Sequence, residues 1–215
     1  MTVKRAPKKS KPRSDAILRA AMRLFLERGY LATTMDDVAR LAQVTKQTVY
    51  THYQSKEQLF TSMLNALCNR DMPSPLQFDA QNVPVETMLE NIGLIVLNTI
   101  TSPEGLGATR LVIAESAQHP ELAKLYYTRG TKQLVKLLTE FVAIQQKRKA
   151  ICVANPESAA SYFLAMLKGQ YYVRMILRVK PAPTKKQCEE HVREVVRIFM
   201  HLYGTKNPIA TSSVL

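Results

Sequence analysis

Lys46, Gln47, Tyr50 and Thr51 lie within one short stretch of the chain. On a helix turning about 100° per residue they spread over one side, while Val44 and Val49 point back toward a small core. These side chains suit a nucleic-acid surface. Lys46 can reach a phosphate or a guanine edge, and Gln47 can pair with a base edge. Thr51 can touch a thymine methyl, and Tyr50 can donate to a phosphate. Thr34, Thr45 and Ser55 each stand where a helix begins, so the free N–H groups of those helices could meet phosphates. The same three residues serve equally as plain helix caps.

Enzyme chemistry finds no comparable set of residues. The four histidines are His52, His119, His191 and His201, and the sequence has no G-x-S-x-G, phosphate-binding glycine loop, H-E-x-x-H or C-x-x-C. His191 and His201 are too far apart along one helix for a compact metal pair, and no metal, cofactor or catalytic residue is expected. The three cysteines, Cys68, Cys152 and Cys188, are scattered and odd in number. That fits a reducing cytoplasm better than a disulfide framework. A redox sensor using one of them is an alternative, without a charge environment to support it.

Charge points to an anionic partner. Of the net +13, residues 1–70 carry +8, from 13 Lys and Arg against 5 Asp and Glu. Lys4, Arg5, Lys8, Lys9, Lys11 and Arg13 sit in a tail with no apolar face. Nucleic acid fits that pattern better than a membrane surface, which needs an amphipathic helix. A solubilising tail would explain those six alone. No long apolar run marks a transmembrane span, and no apolar segment follows the basic start as in a secretory signal.

The elements that must position these residues read as helices throughout. Glycines are few, and Ala, Leu, Met, Lys, Arg, Glu and Gln are plentiful. Residues 1–13 read as a disordered basic arm. Ser14 or Asp15 caps a first helix, whose Ile17, Ala20, Ala21, Leu24 and Phe25 form one buried face, and Gly29 ends it. Thr34 with Asp37 makes a capping box for a second helix, with Met35, Val38, Ala39 and Leu41 apolar. Thr45 caps a third helix that ends at Tyr53-Gln54. Ser55 with Gln58 opens a connecting helix over 55–71, and the prolines of 72–84 mark a loop and a domain boundary. Helices are expected at 85–101, at 104–118 and from Pro120 to about Lys149. Another runs from Asn155-Pro156 to about Lys180, and the last from Thr184, boxed with Gln187, to Gly204. A flexible tail follows at 205–215. The fold class is all-α, with a DNA-binding domain at 14–54 and a helical bundle at 85–204.

Residues 34–53, TMDDVARLAQVTKQTVYTHY, are two short capped helices around a three-residue turn. That spacing lets one helix cross the DNA backbone while the next enters the major groove. The longer run from Ile17 to Met63 resembles the N-terminal domain of Tet-repressor (TetR/AcrR) family transcriptional regulators. The matching pieces are ILRAA, LF-x-E-x-GY, TTM-x-DVA, TVY-x-HY and SKEQLF. The resemblance implies three helices for DNA, about six more for an effector and a dimer interface, and a homodimer on a palindromic double-stranded operator. It places Thr45, Lys46, Gln47, Tyr50, Thr51 and His52 toward DNA, with Thr34 and Lys56 at the backbone. His52 suits a structural or phosphate-contacting role as well as base reading. Lys56 opposes the dipole at its helix start, which is odd unless an anion lies nearby. One departure stands out: Gln43 occupies a turn position where the family often has glycine, and a positive φ there would strain it.

Residues 110–130 and 156–172 resemble the effector domain of the family's AefR-like branch. The helix from Pro156 is apolar at nearly every angle, so it must be buried on several sides. One side suits its own domain and another a second subunit. Together with the final helix it would form a four-helix dimer interface through Leu177, Val192, Val195, Val196 and Phe199. An effector pocket is expected to draw on Met88, Ile92, Leu111, Tyr126, Tyr127, Phe141, Phe163, Met166 and Tyr171. Each of them suits plain core better than a pocket wall, and Arg110 with Glu115 would be a structural pair. Adaptable Met and Tyr favour a small apolar or amphipathic effector that releases a repressor from its operator. A non-regulatory DNA-organising protein is the alternative, and the large apolar C-terminal region argues against it.

Overall fold

The computed structural model describes residues 11–69, 83–179 and 182–205. The expected arm before Lys11, nearly all of the 72–84 loop and the tail beyond Thr205 lie outside the described residues. Helices account for the architecture: α1 Lys11–Arg28, α2 Met35–Leu41, α3 Lys46–His52, α4 Lys56–Asn69, α5 Val85–Thr101, α6 Pro103–Glu115, α7 Pro120–Tyr126, α8 Lys132–Lys147, α9 Pro156–Ile176 and α10 Lys185–Tyr203. Among the described residues the only β-pairing is an isolated bridge between Ile151 and Gly204. The fold is all-α, as the sequence predicts.

The chain divides into two compact units, Met1–Leu67 with Gly107–Tyr126, and Cys68–Leu106 with Tyr127–Leu215. In the first unit the buried face of α1 is the one expected: Ile17, Ala20, Ala21, Leu24 and Phe25. It packs with Met35, Val38 and Ala39 of α2, Val49 of α3, and Leu59, Phe60, Met63 and Leu64 of α4. Phe25, Tyr30 and Phe60 form an aromatic triad with ring centroids 5.3–5.6 Å apart. Burying a large apolar side chain of this kind contributes roughly 1.5–3 kcal/mol. Ala108, Leu111 and Val112 of α6 and Leu122 of α7 share this core. Residues 107–126, which the sequence grouped with the C-terminal bundle, therefore pack around the N-terminal helices.

The start of α1 differs from expectation. The described part of α1 starts at Lys11, so Lys11 to Arg13, read as part of the arm, are helical. Ser14 is not a cap: its Oγ shares a hydrogen bond with the Tyr53 hydroxyl at 2.7 Å.

The second unit is built from α5, α8, α9 and α10. Its core joins Met88, Leu89, Ile92, Val96 and Leu97 of α5 to Leu138, Phe141 and Val142 of α8. Phe163, Leu164 and Leu167 of α9 and Val192, Val195, Val196 and Phe199 of α10 complete it. The Phe163 and Phe199 rings meet edge to face at 5.3 Å.

The helix expected from Pro120 to about Lys149 runs without interruption to Lys147, but with a π-helical turn at Tyr127–Thr131 between α7 and α8. That turn holds Gly130, a poor helix former, and two residues, Thr128 and Thr131, that lose side-chain freedom in a helix. The helix from Pro156 stops at Ile176 with Leu177 as its cap, because Arg178 turns left-handed at φ +55. Inside it Gly169 (φ +42, ψ −149) breaks the helical path, a conformation open to glycine alone. The caps themselves are as read. Asn155 accepts from the amides of Glu157 and Ser158, and Thr184 forms a full capping box with Gln187.

The largest correction concerns α10. Val192, Val195, Val196 and Phe199, expected at a dimer interface, are at most 3% exposed within a single chain. Their stripe is consumed by α5 and α9 of the same unit. Of that set only Leu177, 65% exposed, remains open.

Candidate nucleic-acid interface

The recognition surface depends on how α2 and α3 are anchored. Thr34 Oγ1 accepts from the Asp37 amide at 3.1 Å, and Asp37 Oδ2 accepts from the Thr34 amide at 3.2 Å. The Thr34 hydroxyl also donates to Asp37 Oδ2 at 2.6 Å. These bonds, with Arg40 and Arg28 adding attraction, hold the Asp37 carboxyl below its ordinary range. After α2 the chain closes through bonds from the Ala42 amide to Val38 O (2.9 Å) and the Val44 amide to Ala39 O (3.0 Å). That closure needs a left-handed residue, and Gln43 supplies it at φ +54. The positive φ anticipated for this glutamine is present.

Thr45 caps α3 by accepting from the Thr48 amide at 3.2 Å. Val49 is fully buried and fixes the rotation of the helix. Thr45, Lys46, Gln47, Tyr50 and Thr51 are therefore all exposed, and Thr34 is exposed at the start of α2. The side chains of Gln47 and Tyr50 make no hydrogen bond among the described residues, and Thr51 donates to Gln47 O at 2.7 Å. His52 is half-buried, its ring 6.2 Å from that of the buried Tyr53. At the start of α4, Ser55 Oγ accepts from the Gln58 amide. Gln58 reaches back one residue further than a capping box requires, accepting from the Gln54 amide.

Lys56, expected at the DNA backbone, is half-buried and has partners within its own unit. Its ammonium donates to three carbonyl oxygens, of Tyr30 (2.9 Å), Thr33 (3.1 Å) and Leu31 (3.3 Å), and sits 4.5 Å from the Tyr30 ring centre. An ammonium has three hydrogens, and all are engaged inside the protein. Its position at a helix start, unfavourable to the dipole, is compensated by those three oxygens. Burial lowers the Lys56 pKa, with Glu115 pulling the other way. Glu115 holds the same turn from α6, accepting from the Tyr30 amide at 3.2 Å. The sequence reading missed two partners: Glu115 here, and Asp36, which pairs with Lys46. Asp36 stands ten residues from Lys46, beyond any helical spacing rule, so only the packing of α2 on α3 reveals it.

The expected effector residues are distributed over both units. Met88, Ile92, Phe141 and Phe163 are core of the second unit, with Met166 packed against it. Tyr171 is half-buried, its ring edge-on to His191 at 5.1 Å. Leu111 and Tyr126 belong to the first unit, where the Tyr126 hydroxyl and Thr109 Oγ1 are 2.7 Å apart. Tyr127, in the π-helical turn, is exposed. Burial, with Glu189 adding to it, pushes the Cys188 thiol pKa up, away from the reactive thiolate. Cys152 is half-buried, and the Cys68 side chain lies outside the described residues.

Residues 17–63 match the bacterial regulatory proteins of the tetR family, and residues 87–205 match the C-terminal domain of AefR-like transcriptional repressors. The chain is 49% identical over 55 residues to the uncharacterized HTH-type transcriptional regulator YhgD of Bacillus subtilis, a match covering 26% of this chain and 29% of that protein. It is 23% identical over 181 residues to the uncharacterized HTH-type transcriptional regulator YvkB of the same organism, covering 83% and 93%. The solved structure of the flavonoid-responsive regulator FrrA superposes with a TM-score of 0.70 at 28% identity, over 89% of this chain and 97% of that one. Proteins of this kind are transcription regulators rather than enzymes, typically repressors that answer to small molecules. An anchored helix-turn-helix followed by a matching effector-type domain over more than half its length places the chain in the tetR family of bacterial helix-turn-helix transcriptional regulators, in its AefR-like branch.

Proposed function

We propose that the protein works in the cytoplasm as a homodimeric repressor, bound to a palindromic operator and released by a small apolar or amphipathic effector. The observation that carries the DNA part is the outward face of α3. Val49 anchors the helix, and Gln47 and Tyr50 present exposed side chains that make no hydrogen bond among the described residues. Gln47 suits a base edge, Thr51 a thymine methyl, and Tyr50 a phosphate. The exposed starts of α2 and α3, capped by Thr34 and Thr45, suit phosphates.

A second copy is the natural cover for what α9 and α10 leave bare. Tyr162, Val173 and Leu177 of the α9 segment and Ile198 and Leu202 of α10 are apolar and exposed. They take the place of the buried α10 stripe as the dimer surface. For the effector, the Met- and Phe-bearing core of the second unit supports an apolar ligand. The flavonoid response of FrrA makes planar aromatic compounds the first class to try.

Selection from a random duplex pool tests the reading. A two-fold symmetric motif is expected, with half-sites about one helical turn apart or more. Compounds that stabilise the protein to heat should then weaken binding to that motif by roughly 5–150-fold. Failure to enrich any sequence would remove the DNA reading. Stabilising compounds that leave operator affinity unchanged would remove the effector reading.

A further inference from the structure

We propose that Asp36 is a specificity-determining residue, holding Lys46 away from the phosphate backbone so that its charge is released only to a base edge of the right operator. This rests on the DNA-binding reading above. The Lys46 ammonium lies 2.9 Å from one Asp36 carboxylate oxygen and 3.0 Å from the other. The pair joins the first turn of α2 to the first turn of α3, the two helices of the DNA-binding motif. Asp36 stands in the first turn of α2, where the helix dipole favours negative charge, and its hydrogen bond raises the Lys46 pKa. Its neighbour Asp37 is already engaged by Thr34, Arg40 and Arg28.

Both partners are more than half exposed, so water competes for them and the pair can be exchanged. What replaces it decides specificity. A free lysine on a recognition helix gains from any phosphate, and phosphates carry no sequence information. A lysine that must leave a carboxylate gains little from a phosphate, and the carboxylate left behind repels the backbone. A guanine edge offers two acceptors, O6 and N7, in the groove away from the phosphate charges. Asp36 thereby suppresses binding to wrong sequences more than binding to the right one.

Asp36→Asn is the test, measured first on a random-sequence duplex of about 30 base pairs, which needs no known operator. Binding to that pool should tighten roughly three- to tenfold at about 0.1 M salt. The slope of log affinity against log salt should steepen by about 0.9 for each freed lysine, about 1.8 per dimer. The best duplex selected with the unaltered protein should gain less, so the ratio of specific to random binding falls. Lys46→Gln added to Asp36→Asn should abolish the gain. Asp36→Ser, which keeps a polar residue in the first turn, gives the same measurement if the asparagine variant loses stability. An unchanged salt slope overturns the proposal. So does a gain that survives Lys46→Gln, since that would be the general field of one lost negative charge. If the unaltered protein selects no sequence, the DNA-binding reading fails instead, and the two failures are told apart.

Discussion

Gln43 occupies the left-handed region at φ +54, where its Cβ crowds the neighbouring backbone. Glycine removes that crowding but loses more entropy on folding, so Gln43→Gly should stabilise by a net of about 0.5–1 kcal/mol. Urea unfolding should show a higher midpoint at an unchanged slope, and an unchanged midpoint would mean the turn carries no strain. Asp37 is a second case where a single side chain sets a local balance. Its folded pKa lies below the ordinary value because Thr34 hydrogen-bonds the carboxylate. A carboxyl lowered on folding contributes stability at neutral pH, and that contribution fades as pH falls through its folded pKa. Asp37→Asn should therefore melt lower than the unaltered protein at pH 7, with the gap closing in acid. A gap of constant size across that range would show that the carboxylate charge is not what matters.

Helix against helix, α5 packs closely on α10 in the second unit. A Cβ built on Gly93 would come within 2.7 Å of Val192 Cγ1 and 3.2 Å of Leu167 Cδ2. Val192 is β-branched and buried, so it cannot swing clear. Gly93→Ala should destabilise by about 1–3 kcal/mol through overpacking. Val192→Ala creates room, so the double variant should lose less than the sum of the two single losses. Strict additivity in denaturation would show that the two positions are not in contact. The same close packing explains why α10 keeps its whole stripe, Val192 to Phe199, for its own chain.

For the assembled molecule, the burial pattern separates two kinds of substitution that the sequence alone treats alike. Val173→Glu and Ile198→Glu place a charge on exposed apolar positions of α9 and α10. The variants should fold, sediment as monomers and bind DNA weakly, because one recognition helix then acts without its twin. Val195→Glu puts the charge in a core where that residue is 3% exposed, and should lower the melting temperature of the chain itself. If Val173→Glu and Ile198→Glu remain dimeric in sedimentation, the two copies meet elsewhere.

The sequence by itself determined the all-α class, the family and the anchoring of α2, α3, α9 and α10. These rest on local signals: caps at Thr34, Thr45, Asn155 and Thr184, the helical spacing of Ile17 to Phe25, and the wording of residues 17–63. Periodicity could not say which neighbour covers an apolar stripe, so Val192, Val195, Val196 and Phe199 read as a surface for a partner when α5 and α9 already cover them. At Lys56 the local spacing gave no sign of the three carbonyls 23 to 26 residues away that its ammonium meets. The pairing of Lys46 with Asp36, the hold of Glu115 on Tyr30, and the packing of residues 107–126 with the N-terminal helices are all long-range contacts. Only the tertiary structure decided them, because a side chain's partner across a turn or from a distant helix follows from packing and leaves no mark on local spacing.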